Sequence, residues 1–75
     1  MPTKPTHTQK LDSTAIAKAE WFKDGEELAL TFTSGKRYVF VDVPEQAYHD
    51  LVNADSAGRH FASSIKSIYQ LKTEE

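Results

Sequence analysis

Two short stretches of the chain combine cationic side chains with groups that stack on aromatic rings or bind anions. Residues 36–40 have two cations followed by aromatic residues at alternate positions, and residues 56–66 have Ser, Gly, Arg and His at a candidate helix start with a Lys further on. Aromatic side chains stack on nucleic-acid bases, and cations together with free N–H groups at a helix start hold phosphate. These residue types predict a binding surface made of Lys36, Arg37, Tyr38, Phe40, Ser56, Gly58, Arg59, His60 and Lys66.

The stretch from Ser56 to His60 has two interpretations. In the first, the backbone N–H groups and the positive end of the helix dipole attract a phosphate, which Arg59 and His60 then contact. In the second, Ser56 only caps the helix, Gly58 allows close packing, and both cations face water. Ser caps are frequent at helix starts, which favours the second interpretation.

No arrangement in the sequence indicates catalysis or a bound metal. The three histidines, His7, His49 and His60, are too far apart for any two to lie on adjacent turns of one helix, which is the usual local pattern of a zinc site. Glu45 precedes His49 by four residues, a spacing typical of a surface ion pair. The hydroxyls and carboxylates near His60 form no pattern of a nucleophile with its base. We therefore expect no enzyme activity, no metal site and no cofactor.

Composition limits the size of the domain and the class of its partners. The chain has 75 residues and no cysteine, so we expect one small core and no disulfide. Its net charge of −2 argues against binding of nucleic acid through bulk positive charge. Residues 56–73 are locally basic, with two lysines, one arginine, one histidine and no acid. No apolar run approaches the ~20 residues that span a bilayer, and the N-terminus lacks a secretory signal. These features predict a cytoplasmic protein without membrane contact, and the small core favours self-association as a homo-oligomer.

Hydrophobic periodicity predicts an α+β fold: a three-stranded antiparallel meander with two short helices packed on one face. Strands are expected over residues 14–22, 28–33 and 36–41, with turns at Asp-Gly and Ser-Gly pairs between them. The first helix is expected after a capping Asp42, and the second after Ser56. Residues 69–71 could add a short edge strand. Residues 1–11 and 73–75 are predicted to be tails around a domain of residues 12–72, the N-terminal one flexible.

The length of the turn between the second and third strands decides whether Tyr38 and Phe40 face the core or water. A two-residue loop places both rings on the exposed face over small neighbours, where they would form a stacking platform for bases. A three-residue loop with a bulge places them opposite Leu30 and Leu28, on the core face. Both registers are open, and we favour the buried one because aromatic residues at strand spacing usually belong to the core.

The order of these residues resembles the KTSC domain family. The matching positions are Gly35-Lys36-x-Tyr38-x-Phe40-x-Asp42-Val43-Pro44, Tyr48-x-x-Leu51, Ala54-x-Ser56-x-Gly58-x-x-Phe61 and Ile65-x-x-x-Tyr69. The family takes its name from the C-terminal domain of some lysyl-tRNA synthetases and also occurs as free-standing small proteins of bacteria and phages. The resemblance implies a small α+β domain, and the attachment to a tRNA-charging enzyme implies RNA binding.

These patterns together predict a small non-enzymatic binding module for RNA or a phosphate-bearing nucleotide, with the nine-residue surface defined above as its site. An alternative of another class is a protein-interaction or self-assembly module that meets a second protein through exposed aromatic surface. The acidic net charge suits the alternative better, whereas the basic carboxyl-terminal quarter and the resemblance favour the first.

Overall fold

An antiparallel sheet of five strands and two short helices make up residues 4–74, the part of the chain that the computed structural model describes. In chain order the elements are β1 (His7–Lys10), β2 (Ile16–Phe22), β3 (Glu27–Phe32), β4 (Arg37–Val41), α1 (Glu45–Val52), α2 (Ala57–Ser64) and β5 (Gln70–Glu74). Each strand pairs with the next one along the chain. The α+β class is as predicted, but the number of strands is five instead of three. Neither helix within residues 4–74 is long and apolar enough to cross a membrane.

One face of the central strands carries the core and receives both helices. Leu28 and Leu30, at alternate positions of β3, are fully buried there, and they pair with Trp21 and Ala19 of β2. The same cluster contains Ile16, Phe40, Val43, Ala47, Tyr48, Leu51, Ala57 and Ile65. A Leu side chain buried in this way contributes about 1.5–3 kcal/mol. Because the buried residues of α1 and α2 both belong to this cluster, the two helices pack on the same side of the sheet.

Strand β1 lies in the segment that the sequence predicts to be a flexible tail. Its backbone pairs with β2 from His7 opposite Trp21 to Lys10 opposite Lys18, and Thr6 N extends the ladder by donating to Trp21 O over 2.8 Å. Only His7 is partly buried, while the other side chains of β1 are exposed. Backbone hydrogen bonds hold most of this edge strand, which explains why hydrophobic periodicity gives no signal for it. Residues 1–3 of the predicted tail lie outside the described residues.

Strand β5 forms the opposite edge of the sheet. It pairs with β4 from Gln70 opposite Val41 to Glu74 opposite Tyr38, with an irregularity beside Val39. All five of its side chains are exposed, so its position also depends on backbone pairing. The strand is longer than the edge strand predicted over residues 69–71, and it includes residues 73 and 74 of the predicted C-terminal tail. Residue 75 lies outside the described residues.

The connection between β4 and α1 is fixed by the buried side chain of Trp21. Trp21 Nε1 donates a hydrogen bond to Val43 O over 2.8 Å, and Val43 N donates to Glu26 O over 2.8 Å. The prediction that Asp42 caps α1 is wrong: Asp42 has a left-handed φ of 57°, and Pro44 occupies the N-cap position without a side-chain hydrogen bond. Both backbone groups of Val43, the residue after Asp42, are thus held by the Trp21 side chain and by the β2–β3 turn.

Replacing Trp21 by Phe should destabilise the fold, because it removes the donor that satisfies the Val43 carbonyl. A buried acceptor left without a partner costs about 1–3 kcal/mol, so we expect the free energy of unfolding to fall by that amount. Urea denaturation followed by circular dichroism measures the loss. Phe22→Leu serves as the control, since it changes a neighbouring aromatic residue that donates no side-chain hydrogen bond, and it should cost less. Equal losses in the two variants would contradict the role assigned to this hydrogen bond.

Candidate functional site

The turn between β3 and β4 has three residues and places both aromatic residues of β4 on the core face. Tyr38 is the register partner of Leu30, and Phe40 is the partner of Leu28. The structure therefore has the buried register of the two that the sequence leaves open. The exposed stacking platform that belongs to the other register is not formed.

Gly35 makes the three-residue turn possible. Its φ of 97° lies in the left-handed region, which costs an L-residue roughly 1–2 kcal/mol. Gly35 N donates to Phe32 O over 2.9 Å, and Phe32 N donates to Lys36 O over 2.8 Å, so pairing resumes one residue after the glycine. The glycine thus sets the register of β4, and the register decides to which face each side chain of β4 points.

A concave pocket lies on the core face, between the β3–β4 turn, the end of α2 and β5. Its volume is about 550 Å³. We call it the aromatic pocket, and it is lined by Phe32, Ser34, Tyr38, Phe40, Phe61, Lys66, Tyr69, Leu71 and Glu74. Five of these nine residues carry an aromatic ring, so the walls can contact a flat ligand over a large area.

The rings of the aromatic pocket pack edge against face and hold one another in position. The ring of Phe32 lies 5.2 Å from that of Tyr38 and 5.2 Å from that of Phe61, and the rings of Phe40 and Phe61 are 5.7 Å apart. Phe40 is only 3% exposed, whereas Tyr38, Phe61 and Tyr69 are partly buried. Phe40 therefore forms the floor, and the partly buried rings form walls that a ligand can reach.

Polar groups surround the opening of the aromatic pocket. Lys66 supplies a cation, Glu74 a carboxylate, and Tyr38 and Tyr69 each a hydroxyl. Among residues 4–74, none of these four side chains makes a hydrogen bond or an ion pair with another part of the protein. They are therefore available to a ligand whose ring lies between the aromatic walls.

Of the nine residues in the predicted binding surface, the aromatic pocket brings together Tyr38, Phe40 and Lys66. Lys36 is exposed at the end of the turn and does not line the pocket. Arg37 points to the opposite face of the sheet, because side chains alternate along a strand, and its Nη2 lies 3.9 Å from Glu20 Oε1. The hairpin therefore does not present Arg37 on the surface that carries its rings.

At the start of α2, Ser56 and Gly58 have capping and packing roles. Ser56 Oγ accepts a hydrogen bond from Arg59 N over 3.3 Å, which confirms the predicted cap. A Cβ on Gly58 would lie 3.1 Å from the Cβ of Ala15, so a larger residue would crowd the segment that leads into β2. These contacts favour the interpretation of this stretch as a capped and closely packed helix start.

The charges beside the start of α2 disfavour a bound phosphate. A cavity of about 270 Å³ there has Asp12 and Asp55 among its lining residues. Arg59 and His60 line neither this cavity nor the aromatic pocket. The residues that line this cavity therefore include two acids and no cation.

Most walls of the aromatic pocket are residues that the predicted binding surface omits. Periodicity assigns Phe32 and Phe61 to the core, because it marks the buried face of each element separately. It does not show where rings from β3, β4 and α2 leave space between them. Leu71 belongs to the edge strand predicted over residues 69–71, whereas Glu74 joins the pocket only because β5 extends beyond that predicted end.

A second group of polar side chains lies where β1 meets α1, and we call His7, Glu45 and His49 the histidine–glutamate cluster. His7 Nε2 donates a hydrogen bond to Glu45 Oε2, and His49 Nε2 lies 3.7 Å from the same oxygen. The hydrogen bond from His7 holds the pKa of the Glu45 carboxyl below its ordinary value, so that the carboxylate stays ionised. The sequence predicts the pair within α1, but His7 belongs to a strand that it does not predict.

Comparison with known proteins places this chain among its relatives. The model of the KTSC domain matches residues 12–69. The chain belongs to the KTSC domain family. The matched region of this KTSC domain contains all five rings of the aromatic pocket. It begins after β1, so it leaves His7 outside.

Two relatives of the KTSC domain are similar over most of their length. A curated protein of Tsukamurella paurometabola is 36% identical over 58 residues, which is 77% of this chain and 87% of that protein. The crystal structure of a KTSC domain protein from Yersinia pestis superposes with a TM-score of 0.81 at 27% identity, and the match covers 89% of this chain and 94% of that one. The chain is thus similar to proteins that consist of little more than this domain.

Replacing Gly35 by Ala should destabilise the KTSC domain, because the left-handed turn would then hold a residue with a Cβ. We expect the free energy of unfolding to fall by about 1–2 kcal/mol, measured by urea denaturation. Ser34→Ala, an exposed substitution in the same turn, should change it by less than about 0.5 kcal/mol. A Gly35→Ala variant as stable as the unmodified protein would show that the turn does not depend on the glycine.

Proposed function

We propose that this KTSC domain is a non-catalytic binding module that takes the base of a nucleotide, free or within single-stranded RNA, into the aromatic pocket. The observation that carries the proposal is the pocket itself, with five rings around a volume of about 550 Å³ and a lysine at its edge. Small-molecule sites in proteins typically have volumes of about 300–1,000 Å³ and mostly apolar walls with a few polar groups. The pocket has both properties.

The chemistry of a nucleotide matches the groups that line the aromatic pocket. A flat base between aromatic walls gains about 1–3 kcal/mol from stacking. Lys66 Nζ, which has no protein partner among residues 4–74, supports binding of the phosphate attached to that base. The Glu74 carboxylate can accept hydrogen bonds from amino groups of the base, and the hydroxyls of Tyr38 and Tyr69 can donate or accept.

The distribution of charge favours a ligand held at one or two phosphates over a long electrostatic groove. The chain has a net charge of −2, and the pocket contains one cation and one carboxylate. Arg37 and Arg59, which a groove along RNA would use, lie outside the pocket. Recognition therefore depends on stacking and hydrogen bonds more than on counterion release.

Removing one pocket wall or the pocket cation should weaken nucleotide binding. Tyr69→Ala should reduce affinity by about 1–3 kcal/mol, because a base loses one stacking surface. Lys66→Gln should reduce affinity for nucleoside monophosphates while leaving affinity for the parent nucleosides nearly unchanged. Calorimetric titration with the four monophosphates and a ten-nucleotide single-stranded RNA measures both effects.

Lys23→Gln is the matched control, since it makes the same substitution at the β2–β3 turn, at the other end of the sheet. If Lys66 is the main phosphate contact, the logarithm of affinity should fall with the logarithm of salt concentration with a slope near −0.7, the value for one phosphate of a single strand. If none of the four monophosphates and no RNA binds at low salt, the proposal is wrong. A Lys23→Gln variant as weak as Lys66→Gln would also contradict it.

A second candidate function is self-assembly through β5, and the exposed apolar residues beside this strand favour it. Ile68 is 65% exposed and Leu71 is 43% exposed, and β5 is the last strand of the sheet. An edge strand with apolar neighbours can pair with a second copy of itself and so extend the sheet. Leu71 also lines the aromatic pocket, so the surface of this assembly would adjoin the pocket.

The mass in solution tests the second candidate. If β5 pairs with a second copy, light scattering at high protein concentration should give about twice the chain mass of 8.4 kDa, and Ile68→Lys should return the protein to the monomer. Ala62→Lys, an exposed change on α2, should leave the dimer intact. A monomer at millimolar concentration would exclude this form of assembly.

A further inference from the structure

Two histidines and a glutamate from distant parts of the chain meet at one point between β1 and α1. The nitrogen or oxygen atoms that His7, Glu45 and His49 can offer to a metal all lie within 4.8 Å of one another. From this arrangement we propose that the histidine–glutamate cluster binds one divalent transition-metal ion, with zinc as the representative. The proposal is independent of the aromatic pocket, because the cluster involves β1 and the pocket involves β5, at the opposite edge of the sheet.

The distances within the histidine–glutamate cluster suit a tetrahedral ion. In such a site, bonds of about 2.0–2.2 Å to nitrogen and oxygen place neighbouring ligand atoms about 3.4 Å apart. The separation of 3.7 Å between His49 Nε2 and Glu45 Oε2 is already close to that value. His7 Nε2 now donates a hydrogen bond to Glu45 Oε2, so this nitrogen must lose that proton before it can bind the ion.

Aromatic packing holds the His7 ring in position for this role. The ring stacks on Tyr48 at a centroid distance of 5.4 Å and on Trp21 at 5.8 Å, with interplanar angles of 15° and 26°. Tyr48 and Trp21 are themselves buried, at 4% exposure each. The ring of Tyr48 also contacts the ring of His49 edge to face at 5.2 Å. The two imidazoles are thus oriented by rigid neighbours before any ion arrives.

Backbone structure brings the three ligands together without strain. Glu45, in the first turn of α1, and His49, in the last, are four residues apart, so both side chains lie on the same face of that helix. His7 is the first residue of β1, and its pairing with Trp21 fixes its register along the sheet. An ion bound by all three would tie the edge strand β1 to α1, which hydrophobic packing does only weakly because the other side chains of β1 are exposed.

The ligand set predicts which ions are bound and which coordination position remains open. Imidazole nitrogens select zinc, cobalt, nickel and copper over magnesium and calcium, which prefer oxygen. Three protein ligands leave the fourth tetrahedral position for water or for a group from another molecule. The side chains of His7, Glu45 and His49 are 32%, 50% and 42% exposed, so that position faces solvent.

Titration of the full, untagged chain with zinc and cobalt tests the proposal. Calorimetry should show saturation at one zinc per chain, and the cobalt complex should show the visible absorption of a tetrahedral site. His49→Gln, which changes a helix surface and no strand, should weaken zinc binding at least tenfold, since even groups that only support metal ligands change affinity by about 10–100-fold. His7→Gln and Glu45→Gln should do the same. His60→Gln, the control on α2, should leave the affinity within twofold.

Two results of the zinc titration would overturn the proposal. One is the absence of saturable zinc uptake at one ion per chain, and the other is an equal loss in His60→Gln and His49→Gln, which would mean adventitious binding to surface histidines. Magnesium and calcium should give no saturable binding, and competition by either at equal concentration would count against the site. Circular dichroism of each variant distinguishes loss of a ligand from loss of β1, and His49→Gln keeps the test decisive if His7→Gln releases that strand.

Discussion

The left-handed conformation of Gly35 determines which face of the sheet carries the rings of β4. Because Gly35 closes a turn of three residues, Tyr38 pairs with Leu30 and the two aromatic residues of β4 point toward the helices. A slip of one residue would exchange them with the side chains of the opposite face, which include Arg37. The floor and one wall of the aromatic pocket would then be lost and the core would contain gaps. The core, the pocket and the separation of rings from cations all depend on this turn.

The two edge strands supply residues to the two candidate sites. Strands β2 to β4 and the helices bury nearly all of the apolar core, whereas the side chains of β1 and β5 are mostly exposed and the strands are held by backbone pairing. β1 contributes His7 to the histidine–glutamate cluster, and β5 contributes Leu71 and Glu74 to the aromatic pocket. Polar chemistry is thus added at the edges, where a substitution disturbs packing least.

The parts of the fold that depend on local pattern could be predicted from the sequence, and the parts that depend on backbone pairing or distant contacts could not. The alternation of Leu28 and Leu30 gives β3, and Ser56 gives the cap of α2. The residues of β1 do not alternate between apolar and polar types, so the sequence pattern does not predict its pairing with β2. Asp42 has the spacing of a cap but has a left-handed φ instead, next to Val43, whose backbone groups bind the Trp21 side chain and Glu26 O.

The candidate sites show the same limit. Tyr38, Phe40 and Lys66 are evident from residue type, and they do lie together. The contact between His7 and Glu45 joins residues 38 positions apart, and the spacing of residues in a sequence does not predict contacts over that separation.

The most direct measurement of nucleotide binding in the aromatic pocket is an ¹⁵N-resolved NMR titration with adenosine monophosphate. The account predicts saturable shifts confined to residues 32–40 and 61–74, and shifts centred on residues 56–60, or none, would contradict it.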